Sequence, residues 1–201
     1  MNDRNESIRL PCAVLFDMDG TLTRPLLDFP RIKAEMGIGA RPILEALAEM
    51  DAGARAAAEA VLLRHEEAAA LDSTLNEGCR DVLEWLSGRN VRTALITRNS
   101  RGSVVTVLRR HGLSIDLTIA REDAPPKPDP SPLLLACQRL EVAPADAWMV
   151  GDGQYDVEAG AAAGIRTVWV SHGRRRAFKT APWRSVAHLC ELQALLAQTL
   201  P

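Results

Sequence analysis

Short apolar runs alternate with longer segments of helical periodicity along most of this 201-residue sequence. The alternation predicts a parallel β-sheet with helices on both faces, because parallel strands need crossover connections long enough to hold a helix. The predicted strands are 12–17, 91–97, 116–120, 147–151 and 166–170. The predicted core helices are 77–87, 100–111, 130–140 and 154–163. The fold class is therefore α/β with a doubly wound, Rossmann-like core, which the amphipathic segment 185–199 is expected to close.

One connection breaks this alternation. Between the first two predicted strands, residues 24–76 contain no strand-like run, and their periodicity favours helices. Pro42 suits a helix start, and Gly53 is expected to separate two helices of this segment. We therefore predict a helical cap at 24–76, inserted into a catalytic core made of 1–23 and 77–201. A segment inserted beside the first strand is placed to cover the end of that strand.

Charge and cysteine usage narrow the class of protein. The formal net charge is −2 and the pI is about 6.1, which provides no basic field for a nucleic-acid backbone. No apolar run approaches the ~20 residues that span a bilayer, and the amino terminus is polar. The four cysteines lie far apart and are expected to be buried thiols: Cys12, Cys79, Cys137 and Cys190. We expect a cytoplasmic monomer or homodimer that binds neither nucleic acid nor membrane.

Two carboxylates, Asp17 and Asp19, end the first predicted strand. Because extended backbone repeats every two residues, both can point into one space at the carboxyl edge of the sheet, where open α/β folds bind ligands. One of two close carboxyls can stay ionised as a nucleophile while the other holds a proton, which suits cleavage of a phosphate ester. A surface turn is the alternative. A calcium loop is disfavoured, because Leu22 and Asp28 stand where that loop has Gly and Glu.

Two further polar segments follow other predicted strands. Thr97, Arg98 and Asn99 precede a predicted helix, whose free N–H groups can bind phosphate, although such residues are also ordinary helix caps. Lys127 lies in a proline-rich loop and is one of three lysines in the chain. A loop lysine is usually solvated, but this ammonium can hold Asp17 ionised and contact a phosphate oxygen.

A second group of carboxylates, Asp152 and Asp156, follows the fourth predicted strand. Magnesium prefers oxygen ligands and needs only one or two carboxylates besides substrate oxygens, so Asp17 and Asp152 are candidate ligands. The alternative is an acidic, glycine-rich turn before a helix. The basic loop 172–176 is expected to be solvated. The four polar segments fall on the same predicted edge, which favours an active site there.

These four segments, in this order, resemble the motifs of the haloacid dehalogenase superfamily. The resemblance implies that Asp17 forms an aspartyl-phosphate, and that Asp19 protonates the leaving oxygen and later activates water. It implies that Thr97 and Lys127 bind the phosphoryl group, and Arg98 and Asn99 are further candidates for binding the substrate phosphate. The predicted cap resembles that of the phosphoglycolate phosphatase and β-phosphoglucomutase branch, although it is shorter.

The resemblance also implies a magnesium site made of Asp17, Asp152 and the backbone carbonyl of Asp19. Asp156 would lie in the outer shell of the metal or orient Lys127. The predicted function is a magnesium-dependent phosphatase acting on a small phosphorylated metabolite. The alternatives are a phosphomutase, a phosphonate hydrolase with Lys33 as a Schiff-base lysine, and a non-catalytic protein that binds a phosphorylated ligand.

Overall fold

A six-stranded parallel sheet forms the centre of the computed structural model, which describes residues 9–199. The strands are β1 (Ala13–Phe16), β2 (Arg92–Ile96), β3 (Leu117–Ile119), β4 (Ala147–Gly151), β5 (Arg166–Val170) and β6 (Arg184–Val186). Their order across the sheet is β3-β2-β1-β4-β5-β6, and each neighbouring pair is parallel. The predicted α/β fold class is confirmed.

The central strand β1 is completely buried, as expected for an apolar strand covered on both faces. Val14 and Phe16 pack into the core on one face, and Ala13 and Leu15 pack into the core on the other. From β1 the chain runs outward to β2 and β3 and then returns to β4, on the opposite side of β1. Such a reversal opens a crevice at the carboxyl ends of the strands, where ligands bind in this class of fold.

Helices cover both faces of the sheet. They are α4 (Cys79–Ser87), α5 (Arg101–His111), α6 (Ser131–Leu140), α7 (Gln154–Ala163) and α8 (Glu191–Ala197), with a short 3-10 turn at Pro144–Asp146. All nine predicted core elements are found at their predicted positions, with small differences at their ends. Most of them have helical periodicity or a continuous apolar run between turn residues, so their type is legible without tertiary contacts.

The carboxyl-terminal part of the chain differs from its prediction. Within 185–199, Ser185 and Val186 belong to strand β6, which pairs with β5 through Trp169 and Val170. Helix α8 occupies only Glu191–Ala197. A three-residue strand is too short to show a period of two, so pairing with β5 decides its conformation.

The cysteine prediction was half wrong. Cys79 and Cys137 are buried, but Cys12 and Cys190 are exposed. Cys12 precedes the first strand and Cys190 precedes α8, so neither lies inside an element that packs against the sheet. No helix within the described residues is both long and apolar enough to cross a membrane.

Residues 24–76, here called the insert, contain three helices: α1 (Phe29–Glu35), α2 (Ile43–Ala48) and α3 (Ala52–Asp72). Pro42 precedes α2 as expected. Gly53 does not separate two helices, because the Asp51 side chain accepts hydrogen bonds from the backbone N–H groups of Gly53 and Ala54 and starts α3 there. The insert has an apolar cluster of its own, which includes Ile32 and Leu62.

Candidate active site

A buried lysine joins two carboxylates at the carboxyl edge of the sheet. Lys127 is 2% exposed, and its Nζ donates to Asp17 Oδ1 at 2.7 Å and to Asp156 Oδ1 at 2.6 Å. A third bond, also 2.7 Å, goes to the carbonyl oxygen of Ile96 at the end of β2. All three protons of the ammonium are used, which fixes its position beside Asp17.

Burial governs the electrostatics of this group. It raises the pKa of Asp17 well above its ordinary value, with further increases from Asp156 and Asp152, although Lys127 opposes the shift. Burial by itself lowers the pKa of Lys127, but Asp156 and Asp17 outweigh burial and hold that pKa above its usual value. The ammonium is therefore charged at neutral pH.

Asp152 lies against the turn that follows β1. Gly20 has φ +79°, and a Cβ built on it would lie 2.5 Å from the Cγ of Asp152, so this carboxylate packs directly on the glycine backbone. Arg174 donates to Asp152 Oδ2 at 2.8 Å, and His172 Nε2 lies 2.6 Å from the Gly20 carbonyl oxygen. Burial raises the pKa of Asp152, and Arg174 opposes that increase.

Asp17, Asp152 and Asp156 each offer a carboxylate oxygen, and these oxygens lie within 4.8 Å of one another. Hard oxygen donors of this kind fit magnesium. Both oxygens of Asp156 already have partners, because Oδ1 accepts from Lys127 and Oδ2 accepts from the backbone N–H of Gly153 at 2.9 Å. The arrangement therefore makes Asp17 and Asp152 the better placed candidate ligands, whereas Asp156 contacts Lys127.

Asp19 is held apart from that cluster. Its Oδ2 accepts from Asn99 Nδ2 at 2.5 Å, and its Oδ1 accepts from Thr23 Oγ1 at 3.3 Å. Burial raises the pKa of Asp19 more than these two bonds lower it, so this carboxyl takes up a proton more readily than an exposed aspartate does. Thr97 is buried and its Oγ1 accepts from the backbone N–H of Asn99, so the loop after β2 positions the amide that contacts Asp19.

Arg98 connects this loop to the insert. Its Nη2 donates to both carboxylate oxygens of Glu45 at 3.0 and 2.9 Å, and its Nη1 donates to the carbonyl oxygen of Lys127. The guanidinium also lies over the Tyr155 ring, with 4.4 Å from Cζ to the ring centroid. The contacts of Arg98 thus run toward α2 and the Lys127 backbone rather than toward the carboxylate cluster.

A second ion pair joins the insert to the core. Glu66 on α3 is 2% exposed, and its carboxylate accepts from Arg121 Nη1 at 2.6 Å and Nη2 at 3.2 Å. It also accepts from the backbone N–H of Ser100 at 3.2 Å, just before α5. Two chain-distant ion pairs therefore hold the insert over the carboxyl edge of the sheet.

A cavity of about 340 Å³ lies between the insert and the core. Apolar side chains of the insert form much of its lining, and Arg98, Asn99 and Tyr155 line it from the core. A larger groove of about 820 Å³ contains Arg92 and Asp116, which lie at the start of β2 and just before β3, at the opposite edge of the sheet. Of these two, the smaller cavity shares residues with the site.

The structure brings together Asp17, Lys127, Asp152 and Asp156, and it places Asn99 on Asp19. The basic loop 172–176 was expected to be solvated, and this prediction was wrong for Arg174, because its side chain contacts Asp152. One signal was available: this loop directly follows β5, on the same edge as the other four segments. For Glu45 and Glu66 the sequence carried no signal, because each meets its partner across the interface between insert and core.

Comparison with known proteins places these residues in a family. The model of the haloacid dehalogenase-like hydrolases matches residues 13–164, which contain every site residue predicted from the sequence. The chain is 33% identical over 185 residues to an N-acetylmuramic acid 6-phosphate phosphatase of Pseudomonas putida, covering 80% of this chain and 83% of the relative. It is 33% identical over 193 residues to phosphoglycolate phosphatase 1 of Pseudomonas aeruginosa, covering 82% of this chain and 71% of the relative.

Solved structures share the fold. A hydrolase from Pseudomonas syringae superposes with a TM-score of 0.75 at 18% identity, covering 92% of this chain and 98% of that one. A haloacid dehalogenase phosphatase from Thermococcus onnurineus superposes with a TM-score of 0.69 at 23% identity, again covering 92% of this chain and 98% of that one. The predicted resemblance, including the phosphoglycolate phosphatase branch, is confirmed. With its motif residues gathered at one sheet edge and the family model spanning most of its core, this chain belongs to the haloacid dehalogenase-like hydrolases.

Proposed function

We propose that this protein is a magnesium-dependent phosphatase that hydrolyses a small phosphate monoester through an aspartyl-phosphate on Asp17. One observation carries the proposal: the buried Lys127 donates to Asp17 Oδ1 at 2.7 Å, beside the Asp152 carboxylate. A carboxylate held by a fixed cation at the open edge of the sheet is arranged as a nucleophile. The names of the two curated relatives, both phosphatases of small phosphorylated molecules, agree with this proposal.

In the first half of the reaction, an Asp17 oxygen attacks the phosphorus. A new O–P bond forms, the bond from phosphorus to the leaving oxygen breaks, and Asp19 gives its proton to that oxygen. In the second half, Asp19 accepts a proton from water as the water oxygen attacks the phosphorus. The bond to Asp17 then breaks and inorganic phosphate leaves. Proton transfer of this kind contributes about 10²- to 10⁴-fold in rate.

The positive charge near the phosphoryl group decides whether this attack is feasible. Two unit negative charges ~4 Å apart repel by about 4 kcal/mol at an effective dielectric constant near 20. Lys127 offsets part of this repulsion, and we place Thr97 beside it at the phosphoryl oxygens. Asp17, Asp152 and the backbone carbonyl of Asp19 would hold magnesium, which would supply further positive charge when bound.

The other predicted residues take supporting roles in this proposal. Asn99 holds the Asp19 carboxyl in place, as its 2.5 Å bond suggests. Arg98 is predicted at the phosphate, but its bonds to Glu45 favour a role in joining the loop to the insert. We also propose that the insert is the cap domain, with the core formed by 1–23 and 77–201. We further propose that the protein is cytoplasmic and that it is a monomer or a homodimer.

The first test is hydrolysis of p-nitrophenyl phosphate, with magnesium and with excess chelator. We expect release of p-nitrophenol that depends on magnesium and is abolished in Asp17→Asn. Asp17→Asn is expected to retain the fold, as circular dichroism would check. Trapping of the phosphorylated enzyme with borohydride, followed by mass spectrometry, should label Asp17 alone. Full activity in Asp17→Asn, or release that is indifferent to chelator, would contradict the proposal.

Asp19→Asn tests the acid and base role separately. We expect both halves of the reaction to slow, because the amide can neither give the proton nor accept it. A wild-type rate in this variant would assign the proton to another group. The same assays address the alternatives: a phosphomutase would move phosphate between positions of a sugar, and a phosphonate hydrolase would be inactivated by borohydride through a substrate adduct on Lys33.

A further inference from the structure

We propose that the cavity between insert and core binds a leaving group with an apolar body and a carboxylate, and that Lys33 binds this carboxylate. The inference rests on the proposed phosphatase function and names the class of its substrate. Four observations support it: the position of the cavity, its apolar lining, its volume and its charge.

The position of the cavity follows from Asn99. This residue lines the cavity and donates to Asp19 Oδ2, the group that we assign to the leaving oxygen. Arg98 also lines it and donates to the carbonyl oxygen of Lys127. When the phosphoryl group lies at Asp17 and Lys127, the leaving group therefore extends past Asp19 into this cavity.

The lining is largely apolar. Leu27, Phe29, Ile43, Leu44 and Leu62 contribute from the insert. Phe29 is 50% exposed, which leaves a large apolar surface for a ligand to cover. A volume of about 340 Å³ lies at the small end of the range for ligand sites, which is roughly 300–1,000 Å³. It suits a ring or a branched chain, whereas a two-carbon acid would leave most of this surface uncovered.

The charge of the lining is unbalanced. Arg98 is paired with Glu45, and Glu66 is paired with Arg121. Lys33 also lines the cavity, and within the described residues its Nζ has one recorded hydrogen-bond partner, the Ala40 carbonyl oxygen at 3.3 Å. The lining and its ion-pair partners thus carry one more positive charge than negative charges.

A carboxylate is the anion that best matches this charge. The charge of Lys33 reaches Glu45 and helps Arg98 to lower the pKa of that carboxyl, against the effect of partial burial. A carboxylate of a ligand in the same cavity would feel the same attraction. A second phosphate would call for a cluster of donors or a bidentate arginine, whereas Glu45 already occupies the only arginine of the lining.

The test compares esters that share a phenyl ring: phenyl phosphate, 4-carboxyphenyl phosphate and 4-(aminomethyl)phenyl phosphate, with 2-phosphoglycolate as a carboxylate that lacks an apolar body. We expect kcat/KM for the carboxylated ester to exceed that for phenyl phosphate about tenfold or more, since hydrogen bonds to charged groups contribute at this level. The aminomethyl ester should be the poorest aromatic substrate. By calorimetry the carboxylated ester should also bind about tenfold more tightly than 2-phosphoglycolate, because only the ring covers the apolar lining.

Lys33→Met removes the charge and keeps an unbranched side chain. We expect the ratio of kcat/KM for 4-carboxyphenyl phosphate over phenyl phosphate to fall to near one. Lys179→Met is the matched control, because Lys179 is an exposed lysine outside the cavity lining, and there the ratio should be unchanged. Binding of the same two esters and of 2-phosphoglycolate, measured by calorimetry in chelator, gives a second readout that does not depend on turnover.

The outcomes separate this inference from the proposed function. If no ester is hydrolysed, the phosphatase function fails, while the calorimetric preference still tests the cavity. Hydrolysis without a preference for the carboxylated ester, or a preference that survives Lys33→Met, would overturn the role of Lys33. Equal calorimetric affinity for 2-phosphoglycolate and the carboxylated aromatic ester would overturn the apolar part. A Lys33-dependent preference for the carboxylated ring in both assays is the expected result.

Discussion

Replacing Lys127 by methionine would test the buried charge network that organises the site. The side chain is 2% exposed and donates three bonds, to Asp17, Asp156 and the carbonyl oxygen of Ile96. Methionine has nearly the same length but no charge, so Lys127→Met leaves two adjacent carboxylates without their shared cation. The perturbation is electrostatic rather than a loss of volume.

Removal of one partner from a buried ion pair costs about 3–5 kcal/mol. Each contact is strong, since two unit charges 2.7 Å apart attract by roughly 6 kcal/mol at an effective dielectric constant near 20. Desolvation of the three groups offsets much of that attraction in the folded protein. We therefore expect Lys127→Met to lower the free energy of unfolding by about 3–5 kcal/mol at pH 7.5.

The loss should depend on pH in a defined direction. The folded state holds the pKa of Asp17 above its ordinary value. In the pH window between the unfolded and the folded pKa, the folded state therefore binds a proton more readily than the unfolded chain. The free energy of unfolding therefore decreases as pH rises through the window. Without Lys127, which lowers the pKa of Asp17, the window extends further upward. The destabilisation should thus be greatest at neutral pH and shrink as pH is lowered toward 5.

The assay is urea unfolding of wild type and variant at pH 7.5 and pH 5, with chelator present so that no divalent cation replaces the ammonium. Lys179 is exposed, so Lys179→Met is the control and should change the free energy of unfolding by less than ~0.5 kcal/mol. Adding Asp156→Asn to Lys127→Met removes one uncompensated carboxylate and should restore about 1 kcal/mol or more. A loss below ~1 kcal/mol at pH 7.5, or an equal loss at both pH values, would refute the reasoning.

Two further changes test the packing around the site. Gly20→Ala should lower the free energy of unfolding by at least ~1 kcal/mol more than Gly39→Ala. Both glycines have positive φ, but of the two only Gly20 would place a Cβ against the Asp152 carboxylate. Urea unfolding measures both losses, and equal losses would contradict this contact. Glu66→Ala should cost about 3 kcal/mol or more by the same measurement, because it leaves the partly buried Arg121 guanidinium without its carboxylate. Glu67→Ala on the exposed face of α3 should cost less than ~0.5 kcal/mol. A loss for Glu66→Ala as small as that of the control would mean that its ion pair adds nothing.

The contact between Arg174 and Asp152 shows how a loop of ordinary composition enters a charged site. Arg174 lies in a basic run directly after β5, and its side chain is 53% exposed. Its partner is 17% exposed, so one end of the ion pair is desolvated and the other remains in water. The arginine thereby offsets part of the repulsion among the three clustered carboxylates.

The sequence by itself determined the sheet and the edge on which the chemistry gathers. Short apolar runs such as Ala13–Phe16 are typical of buried strands, and parallel strands bring their carboxyl ends to one edge. Asp17, Lys127 and Asp152 follow such strands or lie in loops beyond them, so their convergence was predictable from local signals. These signals are short in range and depend on periodicity within ten to twenty residues.

Only the tertiary structure decided which side chains meet. The pairs Arg98–Glu45 and Arg121–Glu66 join residues more than fifty positions apart, and neither partner carries a periodic signal that points to the other. Strand β6 likewise depends on pairing with β5 rather than on its three residues. The cavity exists because the insert packs over the sheet edge, and that packing depends on the shapes of both surfaces. Local sequence therefore specifies the elements and their edge, whereas the contacts between insert and core specify the space left for a ligand.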